Sequence, residues 1–147
     1  MLSVIHTSFS QARDDLFKQV LDADANRVAD AVLRQTTVGE SSVDQVLTRL
    51  AELLGIRKAE ALGILGISRS RKSKNPAMNV ELLDRTYSAL TLFARVANVL
   101  GQEGARSWFS TSKVALDDAT PVDLLASRVG VTKLQEMLTA LEDGTFL

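Results

Sequence analysis

The chain has no cysteine, one histidine and two prolines in 147 residues. Without cysteine there can be no disulfide, no thiolate nucleophile and no thiolate-bound zinc, and a cytoplasmic protein is the expectation. His6, the single histidine, has no paired base or ligand nearby in the sequence and reads as incidental. With prolines only at Pro76 and Pro121, and no long alternating run of β-branched residues, strands have little to be built from. No window approaches the roughly 18 consecutive apolar residues of a membrane span. The opening stretch MLSVIHTSFSQARDDLF lacks the basic flank and continuous apolar segment of a signal peptide. Neither a membrane partner nor a targeting segment is expected. A glycine-rich phosphate loop, a Ser–His–Asp arrangement and a metal constellation are all missing. Asp22 and Asp24 precede Asn26, but the glycine and twelfth-position glutamate of a calcium loop do not follow. The expectation is a protein with no catalytic residues, no metal and no cofactor.

What is present is a hydrophobic share of 46% and a charged share of 24%, enough apolar material for a buried core. It is arranged with helical spacing, which predicts an all-α fold. Phe9, Ala12, Leu16, Phe17, Val20 and Leu21 fall on one stripe, and Ala25, Val28, Ala29 and Val32 on a second, before Thr36, Thr37 and Gly39 break the pattern. Ser42-x-x-Gln45 is a capping box that opens a helix with Val43, Val46, Leu47, Leu50, Leu53 and Leu54 on one face, and Gly55 is its stop. A short helix from Lys58 to Leu65 ends near Gly66. Ser68 caps another short helix, ended by Asn75-Pro76. Short helices joined by small-residue turns are the outline of a helix-turn-helix.

The longest helix is predicted from about Asn79 to Leu100, with Val80, Leu83, Tyr87, Leu90, Ala94 and Ala97 on its stripe and Gly101 as its end. A short helix then carries Trp108 and Phe109, an aromatic pair expected in the core. Thr120-Pro121, with Asp123 in the first turn, starts a helix bearing Leu124 and Leu125 that Gly130 is expected to stop. Thr132-x-x-Gln135 reads as a second capping box opening the last helix, with Leu134, Met137, Leu138 and Leu141 facing inward and Gly144 closing it.

The charge is uneven. From Arg57 to Lys74 there are six basic residues against one acidic, Glu60, for a net of +5. The other eleven basic and seventeen acidic residues leave −6. Within Ser68–Pro76 there is no acid at all, so the sequence predicts an unneutralised cationic patch on an acidic body, suited to orienting a protein on a polyanion. Ser68, Arg69, Ser70, Arg71, Lys72 and Lys74 are the candidate DNA-binding residues. Arginine suits bidentate contacts to guanine and phosphate, lysine is a point charge for phosphate, and serine adds neutral hydrogen bonds. One such module binds weakly, so a homodimer presenting half-sites about 34 Å apart is expected. Arg57, Lys58 and Arg85 are weaker candidates, since Glu81 stands four residues before Arg85 on the same helix.

The second half resembles a known family. Gly101, Ala105, Trp108, Ala115-Leu116, Pro121, Leu124-Leu125, Gly130, Leu138 and Gly144 stand in the order of the motifs of the Xre/MbcA/ParS antitoxins' toxin-binding domain. The resemblance covers about 90–147, and 42–89 resembles the helix-turn-helix part of the same family. The chain departs from the family pattern at Asp117-Asp118, where a glycine often follows the alanine-leucine pair. It departs also at Phe109, commonly leucine, and at Thr111-Ser112, frequently threonine-proline.

The resemblance implies a type II antitoxin that binds a toxin encoded beside it, commonly a RES-domain enzyme that consumes NAD, and represses its own promoter as a complex. It implies that the carboxyl-terminal segment approaches the toxin's active site, which makes Glu142, Asp143, Gly144, Thr145, Phe146 and Leu147 the candidate toxin-binding residues. Three segments are expected: 1–41, a helical arm and a candidate for dimerisation; 42–89, a helix-turn-helix-like DNA-binding module; and 90–147, a toxin-binding domain. The alternatives are a stand-alone helix-turn-helix regulator without a toxin partner, and a helical adaptor with no DNA role.

Overall fold

A computed structural model describes residues 8–74 and 76–144. Side-chain caps set most helix starts. Ser8 accepts the Gln11 N–H and opens α1 (Phe9–Leu21), and Asp24 accepts the Arg27 N–H and opens α2 (Ala25–Leu33). The reciprocal Ser42–Gln45 box opens α3 (Val43–Leu54), which Gly55 ends. Then come α4 (Lys58–Leu65), α5 (Arg69–Ser73) with Ser68 as its cap, and α6 (Val80–Ser110) with Asn79 as its cap. A 3-10 turn (Val114–Leu116) leads to α7 (Pro121–Leu124), whose Thr120–Asp123 box is the predicted start, and to α8 (Arg128–Glu142). Strand pairing among the described residues is limited to one isolated bridge between Ser42 and Ala77, so the fold is all-α as expected.

α6 is the spine, touching α1, α2, α3, α4, α7 and α8. At Gly101 (φ 78°, ψ 169°) the helical path breaks, so α6 is two helical pieces that meet at the residue read as a stop. The arm of α1 and α2 packs on α6 and α3. Phe17, Val20, Leu21 and Val28 are fully buried in the same core as Leu50, Leu83, Phe93 and Leu138, and the Phe17 ring meets Tyr87 edge-on at 5.3 Å. The α3 face foreseen from spacing is buried in full. Phe109 is buried and stacks on Phe93 at 5.8 Å, while Trp108 is half-buried with the Lys113 ammonium 5.2 Å from its ring centre. Thr86 is fully buried yet satisfied, donating to the Leu82 carbonyl at 2.7 Å.

Two boundaries differ from the sequence pattern, the first being that α7 ends at Leu124 and does not run on to Gly130. α8 begins at Arg128, before the expected Thr132–Gln135 box, because the Ser127 hydroxyl accepts the Gly130 N–H at 3.0 Å. Thr132 lies inside the helix and donates back to the Arg128 carbonyl at 3.1 Å. Gly130 therefore stops nothing. A Cβ there would lie 2.1 Å from the Leu124 carbonyl oxygen, so the glycine exists to let the first turn of α8 press on the end of α7.

Candidate nucleic-acid interface and partner-binding end

Gly66, Ile67 and Ser68 join α4 to α5, a three-residue turn of helix-turn-helix length. Gly66 takes a left-handed conformation (φ 68°) and Ile67 is buried, which fixes the turn on the core. No residue of α5 is buried. Arg69, Ser70, Ser73 and Lys74 are exposed and Arg71 and Lys72 half-exposed, so the helix lies on the surface with its basic residues available. Ser68 and Ser70 are partly committed. The Ser68 hydroxyl accepts the Arg71 N–H at 3.1 Å as the cap and lies 3.2 Å from the Ser70 hydroxyl.

The patch is not wholly unneutralised, which corrects the reading from sequence. Asp44, in the first turn of α3, receives Lys58 Nζ at 2.6 Å and stands 3.6 Å from Lys72 Nζ. The Lys58 hydrogen bond, helped by the charges of Lys58 and Lys72, holds the Asp44 carboxyl below the ordinary carboxylate range. Arg57 pairs with Glu60 at 3.4 Å. Among the described residues Arg69, Arg71 and Lys74 have no ion-pair partner and remain the free cations of the segment. Asn75 lies outside the described residues.

Three arginines hold the scaffold by occupying helix C-termini, where unsatisfied carbonyls and the helix dipole favour a cation. Arg49 of α3 donates to the Val20 carbonyl at the end of α1 (3.4 Å) and pairs with Asp22 (3.2 Å). Arg106 of α6 donates to Leu53 at the end of α3 (2.9 Å) and also pairs with Glu103. Arg85 of α6 donates to Ile64 at the end of α4 (3.5 Å). Arg85 thus faces the protein, pairs with Glu81 at 3.7 Å as its spacing suggested, and is not part of the exposed α5 patch.

At the carboxyl end, Glu142 accepts two hydrogen bonds from Arg95 of α6, at 2.7 and 3.1 Å. This fork lowers the Glu142 pKa and raises that of Arg95. Glu142 is thereby occupied in fastening α8 to α6. Asp143 and Gly144 are exposed just beyond it, and among the described residues no atom would crowd a Cβ at Gly144. Thr145, Phe146 and Leu147 lie outside the described residues, as does His6.

Asp44, Arg85, Arg95 and Arg106 carry this geometry, and sequence reasoning either missed them or gave them other roles. Arg95 and Glu142 are far apart in the chain, as are Arg106 and Leu53, so no local pattern joins them. Among the described residues no group of three or more His, Asp or Glu is placed to hold a metal, and no helix is long and apolar enough to cross a membrane.

Residues 95–144, from the middle of α6 through α8, match the family described as the antitoxin Xre/MbcA/ParS C-terminal toxin-binding domain. The chain is also similar to antitoxin Xre of Pseudomonas putida KT2440, 29% identical over 77 residues, which covers 52% of this chain and 48% of that protein. It thus spans about half the length of the curated relative it matches. Asp117 and Asp118 are both left-handed (φ 55° and 67°), a conformation that favours glycine. On these likenesses the carboxyl-terminal unit, which α8 closes and the Arg95–Glu142 fork fastens to α6, is similar to the toxin-binding domain of the Xre/MbcA/ParS antitoxins.

Proposed function

We propose that this protein is the antitoxin of a type II toxin–antitoxin pair. It is not an enzyme. It binds a cognate toxin enzyme, of RES-domain, NAD-consuming type, through its carboxyl-terminal end and occludes the substrate pocket. As a homodimer in the cytoplasm it represses its own operon by placing α5 on operator DNA. The observation that carries the reading is the match of residues 95–144 to a toxin-binding family. An exposed basic helix, in which Arg69, Arg71 and the C-cap Lys74 have no ion-pair partner among the described residues, supports the DNA role.

In the toxin complex the contact runs through Glu142 to Leu147. Because Glu142 is held by Arg95, its part is to aim the segment, and the Asp143 carboxylate and the apolar end Phe146-Leu147 enter the pocket. On DNA, Arg69, Arg71 and Lys74 make the primary contacts, Lys72 joins by leaving Asp44, and Ser68 and Ser70 support the backbone.

Coexpression with the enzyme encoded by the adjacent gene tests the first role: growth resumes and the two proteins co-purify. Continued growth arrest with no complex refutes it. For DNA, Arg69→Ala with Arg71→Ala weakens promoter binding and flattens its salt dependence by about 0.9 per lost phosphate contact. Unchanged binding removes α5 from the interface.

A further inference from the structure

Arg85 touches both functional halves of the molecule. Its Nη1 donates to the Ile64 carbonyl in the last turn of α4 (3.5 Å) and to the Ala126 carbonyl in the α7–α8 linker (3.3 Å). Its guanidinium also lies against Gly66, where a Cβ would come within 3.0 Å of Cζ. Each contact answers a local need. At the end of α4 the Leu62 and Gly63 carbonyls accept the Ile67 and Gly66 N–H groups, while Ile64 receives the guanidinium. At Gly66 the left-handed turn and the absent side chain let the flat guanidinium sit directly under the corner that launches α5. At Ala126 the same nitrogen reaches the linker that precedes the Ser127 cap of α8. Glu81, one turn back on α6, pairs with Nε and steadies the side chain.

We propose that Arg85 is a positioning residue: one guanidinium sets the angle at which α5 is presented and ties that corner to the α7–α8 linker of the family-matched domain. The proposal rests on the DNA-binding reading for its functional consequence and on geometry alone for the tie. Arg85 does not touch DNA; it acts through α5. Arg106 makes no such bridge, since its carbonyl contact is to α3.

The test uses the full chain with Arg85→Ala and Arg85→Lys, read in two ways. In free protein, amide hydrogen exchange is expected to quicken together at Ile67 and Lys72 on one side and at Ser127 and Gly130 on the other, with the interior of α3 unchanged. On a promoter duplex, Arg85→Ala is expected to bind about tenfold more weakly, the scale of one lost charge-assisted hydrogen bond. The slope of log K against log salt stays that of the native protein, because no phosphate contact is removed. Arg85→Lys keeps the charge but reaches one carbonyl in place of two, and shows both effects in smaller measure; it decides the matter if the alanine variant does not fold.

Faster exchange on one side only, or equally throughout the molecule, overturns the tie. A slope reduced by about 0.9 shows direct phosphate contact and overturns the positioning role. If native protein binds no promoter DNA at about 50 mM salt, a permissive condition, the DNA reading fails, while the exchange experiment still decides the tie.

Discussion

Replacing Asp44 by asparagine is expected to strengthen DNA binding while weakening the fold. Asp44 lies in the first turn of α3, where a carboxylate complements the helix dipole, and it also neutralises Lys58 and Lys72. Asparagine keeps the shape and an acceptor oxygen but removes the charge. Lys72, 3.6 Å from that carboxylate, is then released to a phosphate, and Lys58, at 2.6 Å, follows if the DNA passes over the start of α4. Each further contact steepens the slope of log K against log salt by about 0.9, so one on each subunit of a homodimer steepens it by about 1.8. At the upper figure the variant loses about tenfold more affinity than the native protein between 50 and 200 mM salt, so its advantage is greatest when salt is low. Fluorescence anisotropy of a labelled promoter duplex across a potassium chloride series measures the slope, and a thermal melt measures the fold. An unchanged or shallower slope in a folded variant refutes the picture of Asp44 as the internal competitor of DNA phosphate.

Other consequences follow from single contacts. The Arg95 fork holds the Glu142 carboxyl below its ordinary value of 4.5, so in acid the unfolded chain takes up this proton first. The stabilisation is whole above about pH 4.5 and lost as pH falls through the lower folded-state pKa; Glu142→Gln should melt below the native protein at about pH 7, with the gap closing as the carboxyl of the folded protein is protonated. Two glycine-to-alanine changes should have opposite signs. Gly130→Ala forces a Cβ onto the Leu124 carbonyl and costs about 1–3 kcal/mol, whereas Gly63→Ala, in the middle of α4 with nothing within 4 Å, stabilises by about 0.5–1 kcal/mol in denaturant titrations. Asp117→Gly relieves a left-handed aspartate and should raise the melting temperature, by up to about 1 kcal/mol of stability.

The helices were legible in the sequence because their causes are local. A capping serine, an i, i+3, i+4 apolar stripe and a following glycine lie within a few residues of one another, and α3 appears with its box, buried face and Gly55 stop as spacing foresaw. The basic character of α5 is equally local, as is the helix-breaking role of Gly101. Gly130 shows the limit. A glycine placed for close approach looks in sequence like a glycine placed as a stop, and only the nearby Leu124 carbonyl distinguishes them.

Tertiary structure decided the connections between those elements. It packed the arm of α1 and α2 on α6 and α3, through Phe17, Val20 and Val28, which periodicity could mark as apolar but could not assign to a partner. It brought Asp44 beside Lys58 and Lys72, Arg95 to Glu142, and Arg85 between the end of α4 and the α7–α8 linker. Long charged side chains find partners wherever folding brings a carboxylate or an open helix end within reach, and that reach is measured through space. A chain of amino acids therefore states its own helices, caps and net charge, while the identity of the cations left free for another molecule is settled only after the helices have packed.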